Sequence, residues 1–276
     1  MRISGQGNET FLFLNGLAVN RGIRLSQHVQ LLPASCSVDP ALILKLFTKD
    51  VDVGVAILFL GSVHSQIRVV AETSEELAKR AWNSVWDGVL ISALFRCDAI
   101  CNFQSDTPAE KLAPASNLRV TNYHLRGLLR EEPRMITETD ALWIEQNFNK
   151  ARALLEEPAF QNAVHSLASY TWHSLPRAQL TLLWSGIEGL FAIDTELVFR
   201  LSLYAARFLE REDDARRMQV FKDVKRLYKG RSRAVHGSEM KGDANSSVNE
   251  SADLLLKLIR RCIENNSVPN LEALAP

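Results

Sequence analysis

Residues 221–237 read FKDVKRLYKGRSRAVHG, a basic segment in which four residues separate Arg231 from His236. Val224, Leu227 and Arg231 recur at spacings of three and four, so a helix through this segment places Arg231 within its apolar stripe. A charge on a stripe that faces a core needs a partner or a function. The segment is therefore the first candidate for a functional site.

A single helix does not bring Arg231 and His236 side by side. Five residues turn the helix by about 500°, which leaves the two side chains about 140° apart. Gly230 could end the helix at its C′ position, so that a turn redirects Arg231. Alternatively, a second copy of the chain could supply half of a shared site. The sequence leaves both arrangements open.

The Arg231-x4-His236 spacing, preceded by a Leu-Tyr helix end and followed by Gly237, resembles the Arg-x4-6-His motif of the HEPN superfamily, most closely its Apea-like branch. Residues 184–191, WSGIEGLF, are similar to that family's helix with an acidic residue. The resemblance covers roughly the C-terminal half of the chain. It implies an all-helical bundle that forms a homodimer, and many family members are metal-independent endoribonucleases of toxin or antiviral (phage) defence systems.

The resemblance implies that Arg231 and His236 are catalytic residues, located at a dimer interface. Active family members often carry Asn, Asp or His directly after the arginine, where this chain has Ser232. The hydrolase implied in this way cleaves RNA by attack of the 2′-hydroxyl group. The alternative is a non-catalytic HEPN-like module that binds a nucleotide, RNA or a protein partner.

The residue types suit this chemistry because RNA carries its own nucleophile. His236 can act as general base or acid near neutrality, and the planar guanidinium of Arg231 can hold two phosphate oxygens. The remaining predicted substrate contacts are a hydrogen bond from Ser232, backbone attraction by Lys229 and Arg233, and base stacking on Tyr228.

Glu188 lies beside the apolar stripe formed by Leu180, Trp184, Ile187 and Phe191. A carboxylate there could orient Arg231 or His236 in a catalytic site. It could equally form a purely structural polar contact with them inside the bundle. Both interpretations pair Glu188 with the motif.

Charge is balanced over the whole chain, with 32 basic and 32 acidic residues among 276. Attraction to nucleic acid must therefore come from a local patch. Residues 216–241 contain nine basic residues against two acidic ones. The alternative is a solvated basic face that acidic helices balance elsewhere.

The four cysteines have neither the spacing of metal ligands nor that of a disulfide framework. We expect packing residues in a reduced, cytoplasmic protein with no metal and no cofactor. The first ten residues lack the pattern of a signal peptide. The longest apolar run, residues 53–60, is too short to span a bilayer, so we expect no membrane contact.

The predicted fold class is α+β, with a mixed α/β domain at residues 1–133 and an all-α HEPN-like bundle at residues 134–276. Asn15 and Gly16 between apolar runs predict a hairpin, and residues 53–60 and 66–71 predict a second strand pair. Thr73 to Glu76 forms a capping box that opens a helix to about Phe95. The domain's lack of recognisable chemistry suggests that it senses a regulatory ligand or protein partner.

The C-terminal half is expected to be helical throughout. Periodic apolar positions predict helices at residues 137–155, 160–172, after Pro176 and after Asp194, which is the predicted cap of its helix. A turn at residues 211–214 precedes the basic helix. A polar loop at residues 237–246 and a capping box that starts at Ser247 precede the last helix.

Overall fold

The computed structural model describes residues 3–37, 39–123, 132–193, 195–235 and 243–275. The chain forms two compact units, Met1–Asn149 and Lys150–Pro276. The boundary lies within the helix Glu138–Leu154, whereas the sequence placed it after Pro133. The first unit combines a sheet with helices, and the described part of the second contains helices but no strand, so the fold class is α+β.

The first unit contains eight described strands and four described α-helices. The strands are β1 (Glu9–Asn15), β2 (Leu17–Ala18), β3 (Ile23–Arg24), β4 (Val29–Pro33), β5 (Val63–Val70), β6 (Ile100–Ser105), β7 (Arg119–Val120) and β8 (Arg134–Met135). The helices are α1 (Pro40–Leu46), α2 (Asp50–Phe59), α3 (Ser74–Phe95) and α4 (Glu138–Leu154), the last of which continues into the second unit. Six strands form an antiparallel sheet in the order β3-β4-β5-β1-β6-β7.

The hairpin predicted at Asn15 and Gly16 is wrong, because both edges of β1 pair with distant strands. β1 lies between β5 and β6, and the chain continues after Gly16 as β2, which pairs in parallel with β8. Gly16 has a φ of +75°, and a Cβ atom there would lie 2.3 Å from the carbonyl oxygen of Asp98. The glycine thus permits a close backbone approach rather than a two-residue turn.

The strand predicted at residues 53–60 is also wrong, since most of this run belongs to α2. Val55, Ala56 and Phe59 are buried at helical spacing within an apolar cluster, and Asp50 and Asp52 lie in the first turn, where the helix dipole favours acidic groups. A short apolar run does not by itself distinguish a strand from a buried helix. The strand predicted at residues 66–71 is confirmed as part of β5.

The predicted capping box of α3 is confirmed at Thr73, whereas the Glu76 carboxylate forms an ion pair with Arg80. The Thr73 side chain accepts a hydrogen bond from the backbone N–H of Glu76 at 3.3 Å, and the helix ends at Phe95. The residues that cap a helix lie within a few positions of its start, so the cap can be predicted from the sequence without the tertiary structure.

The second unit continues after α4 with α5 (Pro158–Ser169), α6 (Pro176–Phe191), α7 (Leu197–Leu209), α8 (Asp214–Val235), α9 (Ala244–Asn265) and α10 (Leu271–Leu274). The helix α6 packs against α5, α8 and α9. A Cβ atom at Gly186 would lie 2.8 Å from Cβ of Ser166 and 3.1 Å from a methyl group of Leu255. The missing side chain therefore lets α5 and α9 approach α6 closely, and α6 becomes the central helix that carries Glu188.

One predicted cap residue lies outside the described residues, and a second predicted cap is wrong. Asp194 lies outside the described residues, and the residue before α7 is Glu196, whose side chain makes no cap hydrogen bond. The capping box at Ser247 is wrong, because α9 already begins at Ala244 with Asp243 as its cap. Among the described helices, none is long and apolar enough to cross a membrane.

Candidate functional site

The basic helix α8 runs without interruption through Gly230 and Arg231 to Val235. Gly230 is not among the described glycines with positive φ, which are Gly7 and Gly16. The arrangement in which Gly230 ends the helix and a turn redirects Arg231 is therefore wrong. Arg231 projects from the helix itself, at the position that the apolar periodicity indicated.

Arg231 on α8 forms an ion pair with Glu188 on α6. The Nη2 atom of Arg231 lies 3.3 Å from Oε1 of Glu188, and the two side chains are 20% and 23% exposed. Neither Nε of Arg231 nor Oε1 of Glu188 makes a hydrogen bond to a described residue. The pair is thus mostly removed from water, yet it retains hydrogen-bonding capacity.

Tyr228, one helical turn before Arg231, supports the guanidinium group. The guanidinium carbon of Arg231 lies 5.6 Å from the centroid of the Tyr228 ring, within range of a cation–π contact. The Tyr228 ring meets Trp184 edge to face at 5.2 Å between centroids, and the indole N–H of Trp184 donates to Oγ of Ser251 at 3.1 Å. A chain of contacts therefore links Arg231 to the core of the second unit.

Burial governs the titration of this cluster. It raises the pKa of the Glu188 carboxyl group, and the opposing effect of the Arg231 charge is smaller. Burial also raises the pKa of the Tyr228 hydroxyl, with a further rise caused by Glu188 and a reduction caused by Arg231. Both shifts reflect a site with restricted access to water.

The structure does not bring all the predicted site residues together. Lys229 is exposed and, by helical geometry, lies about 160° around α8 from Arg231. Ser232 follows Arg231 and is half-buried. His236 lies outside the described residues, as does the side chain of Arg233.

Tyr228 was predicted to stack on a base, but the residue is only 8% exposed. Trp184 packs against it, and the Arg231 guanidinium lies over its face. In this arrangement the ring supports Arg231 and is not presented to a nucleotide. The prediction overlooked that Tyr228 shares the buried side of α8 with Val224 and Leu227.

Sequence reasoning also missed Ser251, which is fully buried against Trp184. The available signal was its position between Val248 and Leu255 on the apolar stripe of α9, where a polar side chain needs a partner. Nothing local in the sequence identified that partner as Trp184.

Unpaired positive charge lies on the solvent side of α8. Lys222, Lys225 and Lys229 follow each other at spacings of three and four, and none forms an ion pair with a described residue. Lys225 lies 5.7 Å from the ring centroid of Phe221. The neighbouring Arg226, in contrast, is paired with Glu250 at 2.5 Å. The lysines form a basic stripe, which is separate from the Arg231–Glu188 pair.

Within the described part of the chain, no cluster of three or more His, Cys, Asp or Glu side chains could hold a metal ion. All four cysteines are free thiols, and burial raises the pKa of Cys101 and Cys262 to about 12 each. These two thiols are therefore protonated packing groups at neutral pH.

Comparison of the chain with protein-family models, with curated proteins and with solved structures finds no match.

Proposed function

We propose that the unit Lys150–Pro276 is a HEPN-like helical module that acts as a metal-independent endoribonuclease, with Arg231 and His236 as its catalytic residues. The observation that carries this proposal is the Arg231–Glu188 ion pair, which is mostly buried and supported by Tyr228. A permanently charged, planar group held in one orientation is suited to binding a phosphate in a fixed geometry.

Cleavage would proceed through the substrate's own 2′-hydroxyl group. His236 accepts the proton of this hydroxyl, whose oxygen attacks the adjacent phosphorus, and the bond from phosphorus to the 5′-oxygen breaks. The leaving 5′-oxygen takes up a proton from water, and the products carry a 2′,3′-cyclic phosphate and a 5′-hydroxyl group. Arg231 stabilises the charge that develops on the phosphate oxygens.

A homodimer would complete the site. Because α8 continues through Gly230, the helix does not redirect Arg231 toward His236 by a turn at that glycine. Of the two arrangements that the motif spacing allowed, a shared site built from two copies is the one retained in this proposal. Each copy then contributes part of a cleft that binds one RNA strand.

The test is incubation of the purified protein with labelled RNA in excess EDTA, followed by analysis of fragment ends. We expect 2′,3′-cyclic phosphate ends from the wild type and at least about 100-fold slower cleavage by His236→Ala, the usual loss when a general acid or base is removed. Arg231→Lys should also slow cleavage, because lysine keeps the charge but loses the planar pair of donors. Lys257→Ala, which removes an exposed cation on α9 that lies outside the predicted site, is the matched control and should leave cleavage unchanged.

The second candidate is a non-catalytic module that binds RNA. It is favoured by the burial of Arg231 and by the position of the lysine stripe, on a different face of α8 from the ion pair. Binding of RNA by the folded protein, without cleavage of any RNA in a varied panel, would replace the ribonuclease proposal with this one. Cleavage that survives in both His236→Ala and Arg231→Lys would reject the assigned site.

A further inference from the structure

A pocket of about 400 Å³ lies in the second unit, near the start of α8. It is bounded by the last turn of α7, the first turn of α8 and the segment 267–274. Arg217 lines it, and 14 residues of helix separate Arg217 from Arg231, a distance of about 21 Å along the axis. The pocket is therefore distinct from the Arg231–Glu188 site, and its volume falls in the range of small-molecule sites.

Three arginines line this pocket: Arg207, Arg211 and Arg217. None of the described residues that line it carries a carboxylate. The carboxylate that Arg217 does contact, on Asp214, lies outside the lining. Arg207 and Arg211, which form no ion pair with a described residue, repel each other across the cavity unless an anion binds between them.

Two of these arginines are held in place by backbone groups. Nη1 of Arg207 donates to the carbonyl oxygen of Leu274 at 2.7 Å, and Nη1 of Arg217 donates to the carbonyl oxygen of Arg211 at 2.8 Å. These contacts fix the guanidinium groups without neutralising the charge of Arg207. A charged group fixed in this way loses little side-chain entropy when a ligand binds.

The third arginine, Arg211, is exposed, and its side chain makes no hydrogen bond or ion pair to a described residue. All five of its N–H donors are therefore available to a ligand. Arg211 lies at the mouth of the pocket together with Ser267, which is also exposed.

The rest of the lining is partly apolar. Phe208 and Leu274 are buried side chains, and Val268 is half-buried beside them. Asn270 directs its side-chain oxygen to the backbone N–H groups of Glu272 and Ala273, so that oxygen does not oppose an anion. The pocket combines guanidinium donors with an apolar wall.

We propose that this pocket binds a small phosphate-bearing ligand, with Arg207, Arg211 and Arg217 around the phosphate and Phe208, Val268 and Leu274 beside any organic part. Guanidinium groups match phosphate oxygens as paired donors, which the compact point charge of a lysine ammonium does not. This assignment goes beyond the proposed ribonuclease and does not depend on it.

Titration calorimetry on the full chain tests the proposal, with pyrophosphate and ADP as probes. We expect saturable binding of one probe per chain, weakened about tenfold by Arg211→Gln and by Arg207→Gln, as for loss of a charge-assisted hydrogen bond. Arg211→Gln is the more direct variant because it breaks no described contact. Arg216→Gln is the matched control, since Arg216 directly precedes Arg217 and carries the same charge but does not line the pocket.

The probes also separate two sources of the phosphate. Equal affinity for pyrophosphate and ADP indicates an inorganic phosphate chain, whereas tighter binding of ADP indicates an organic phosphate that uses the apolar wall. Either result supports the site if Arg211→Gln weakens binding of the probe. Two results overturn the proposal. One is absence of binding at about 10 mM probe, a concentration tenfold above a millimolar dissociation constant. The other is equal weakening of binding by Arg211→Gln and Arg216→Gln.

Discussion

At the residue scale, the ion pair between Arg231 and Glu188 determines how much stability is lost when either side chain is substituted. The pair is about four-fifths buried, so we expect Arg231→Met to destabilise the protein by roughly 1–2 kcal/mol, between the values for exposed and fully buried pairs. The loss arises because Glu188 is left with no opposing charge. Urea unfolding measures it.

The double variant Arg231→Met/Glu188→Gln provides the control for this interpretation. Removing both charges avoids an unpaired carboxylate, so the double variant should be less destabilised than the sum of the two single variants. Strict additivity would mean that the two side chains do not interact, in disagreement with their 3.3 Å separation.

Glu188 also gives the protein a pH dependence of predictable sign. Burial raises the pKa of its carboxyl group in the folded state, so the folded state holds the proton at higher pH than the unfolded state. The stabilising contribution of the proton is complete below the ordinary carboxyl pKa of about 4.3 and is lost as pH rises through the raised folded value.

Glu188→Gln isolates this effect, because the amide retains the shape of the side chain without titrating. The unfolding free energy of wild type minus that of Glu188→Gln should fall as pH is raised from about 4. Chemical denaturation at a series of pH values measures the difference. A difference that rises over the same range would show that Arg231 outweighs burial at Glu188.

At the element scale, two glycines on neighbouring helices should respond oppositely to alanine. Gly230 lies inside α8, and a Cβ atom there would meet nothing within 4 Å. Gly230→Ala should therefore stabilise the protein by about 0.5–1 kcal/mol, because alanine favours the helix. Thermal unfolding measures the change.

Gly186→Ala is the matched comparison. The new methyl group would meet Ser166 at 2.8 Å on the α5 side, and we expect a loss of roughly 1–3 kcal/mol from overpacking.

Destabilisation by Gly230→Ala would instead indicate that Gly230 adopts positive φ, which is the alternative in which it ends the helix.

Helices could be predicted from the sequence more fully than strands, because helical periodicity is local whereas strand pairing joins distant residues. The spacing of Leu180, Trp184, Ile187 and Phe191 records the buried face of α6 locally. The position of β1 depends on β5 and β6, which lie more than 45 residues further along the chain, and no local pattern at Gly16 records that pairing. The predicted hairpin failed for this reason.

The candidate site could be predicted in part. Arg231 lies within one apolar stripe and Glu188 lies beside another, and these positions predicted a contact between the two side chains. The structure contains this contact, which both the catalytic and the structural interpretation require. Their role stays a prediction. The burial of Tyr228 and the partner of Ser251 depend on how α6, α8 and α9 pack together, and only the tertiary structure supplies that information.

At the scale of the whole molecule, charge is balanced while its distribution is uneven. The chain has a formal net charge of zero, yet Lys222, Lys225 and Lys229 form a stripe without described carboxylate partners. A polyanion would therefore be attracted by a local field and not by the net charge. RNA binding, if it uses this stripe, should weaken steeply with salt.

Neutralising the stripe tests this expectation apart from catalysis. Each lysine that contacts a phosphate of single-stranded RNA contributes about 0.7 to the slope of log affinity against log salt, so Lys222→Gln/Lys225→Gln/Lys229→Gln should reduce the slope by about 2. Fluorescence anisotropy with an RNA that lacks the reactive 2′-hydroxyl groups measures affinity between about 50 and 300 mM salt. Arg226→Gln is the matched control, because Glu250 already neutralises Arg226 and its loss should change the slope less than that of any one lysine. An unchanged slope in the triple lysine variant, or a larger reduction by Arg226→Gln than by Lys229→Gln, would show that the stripe is not the binding surface.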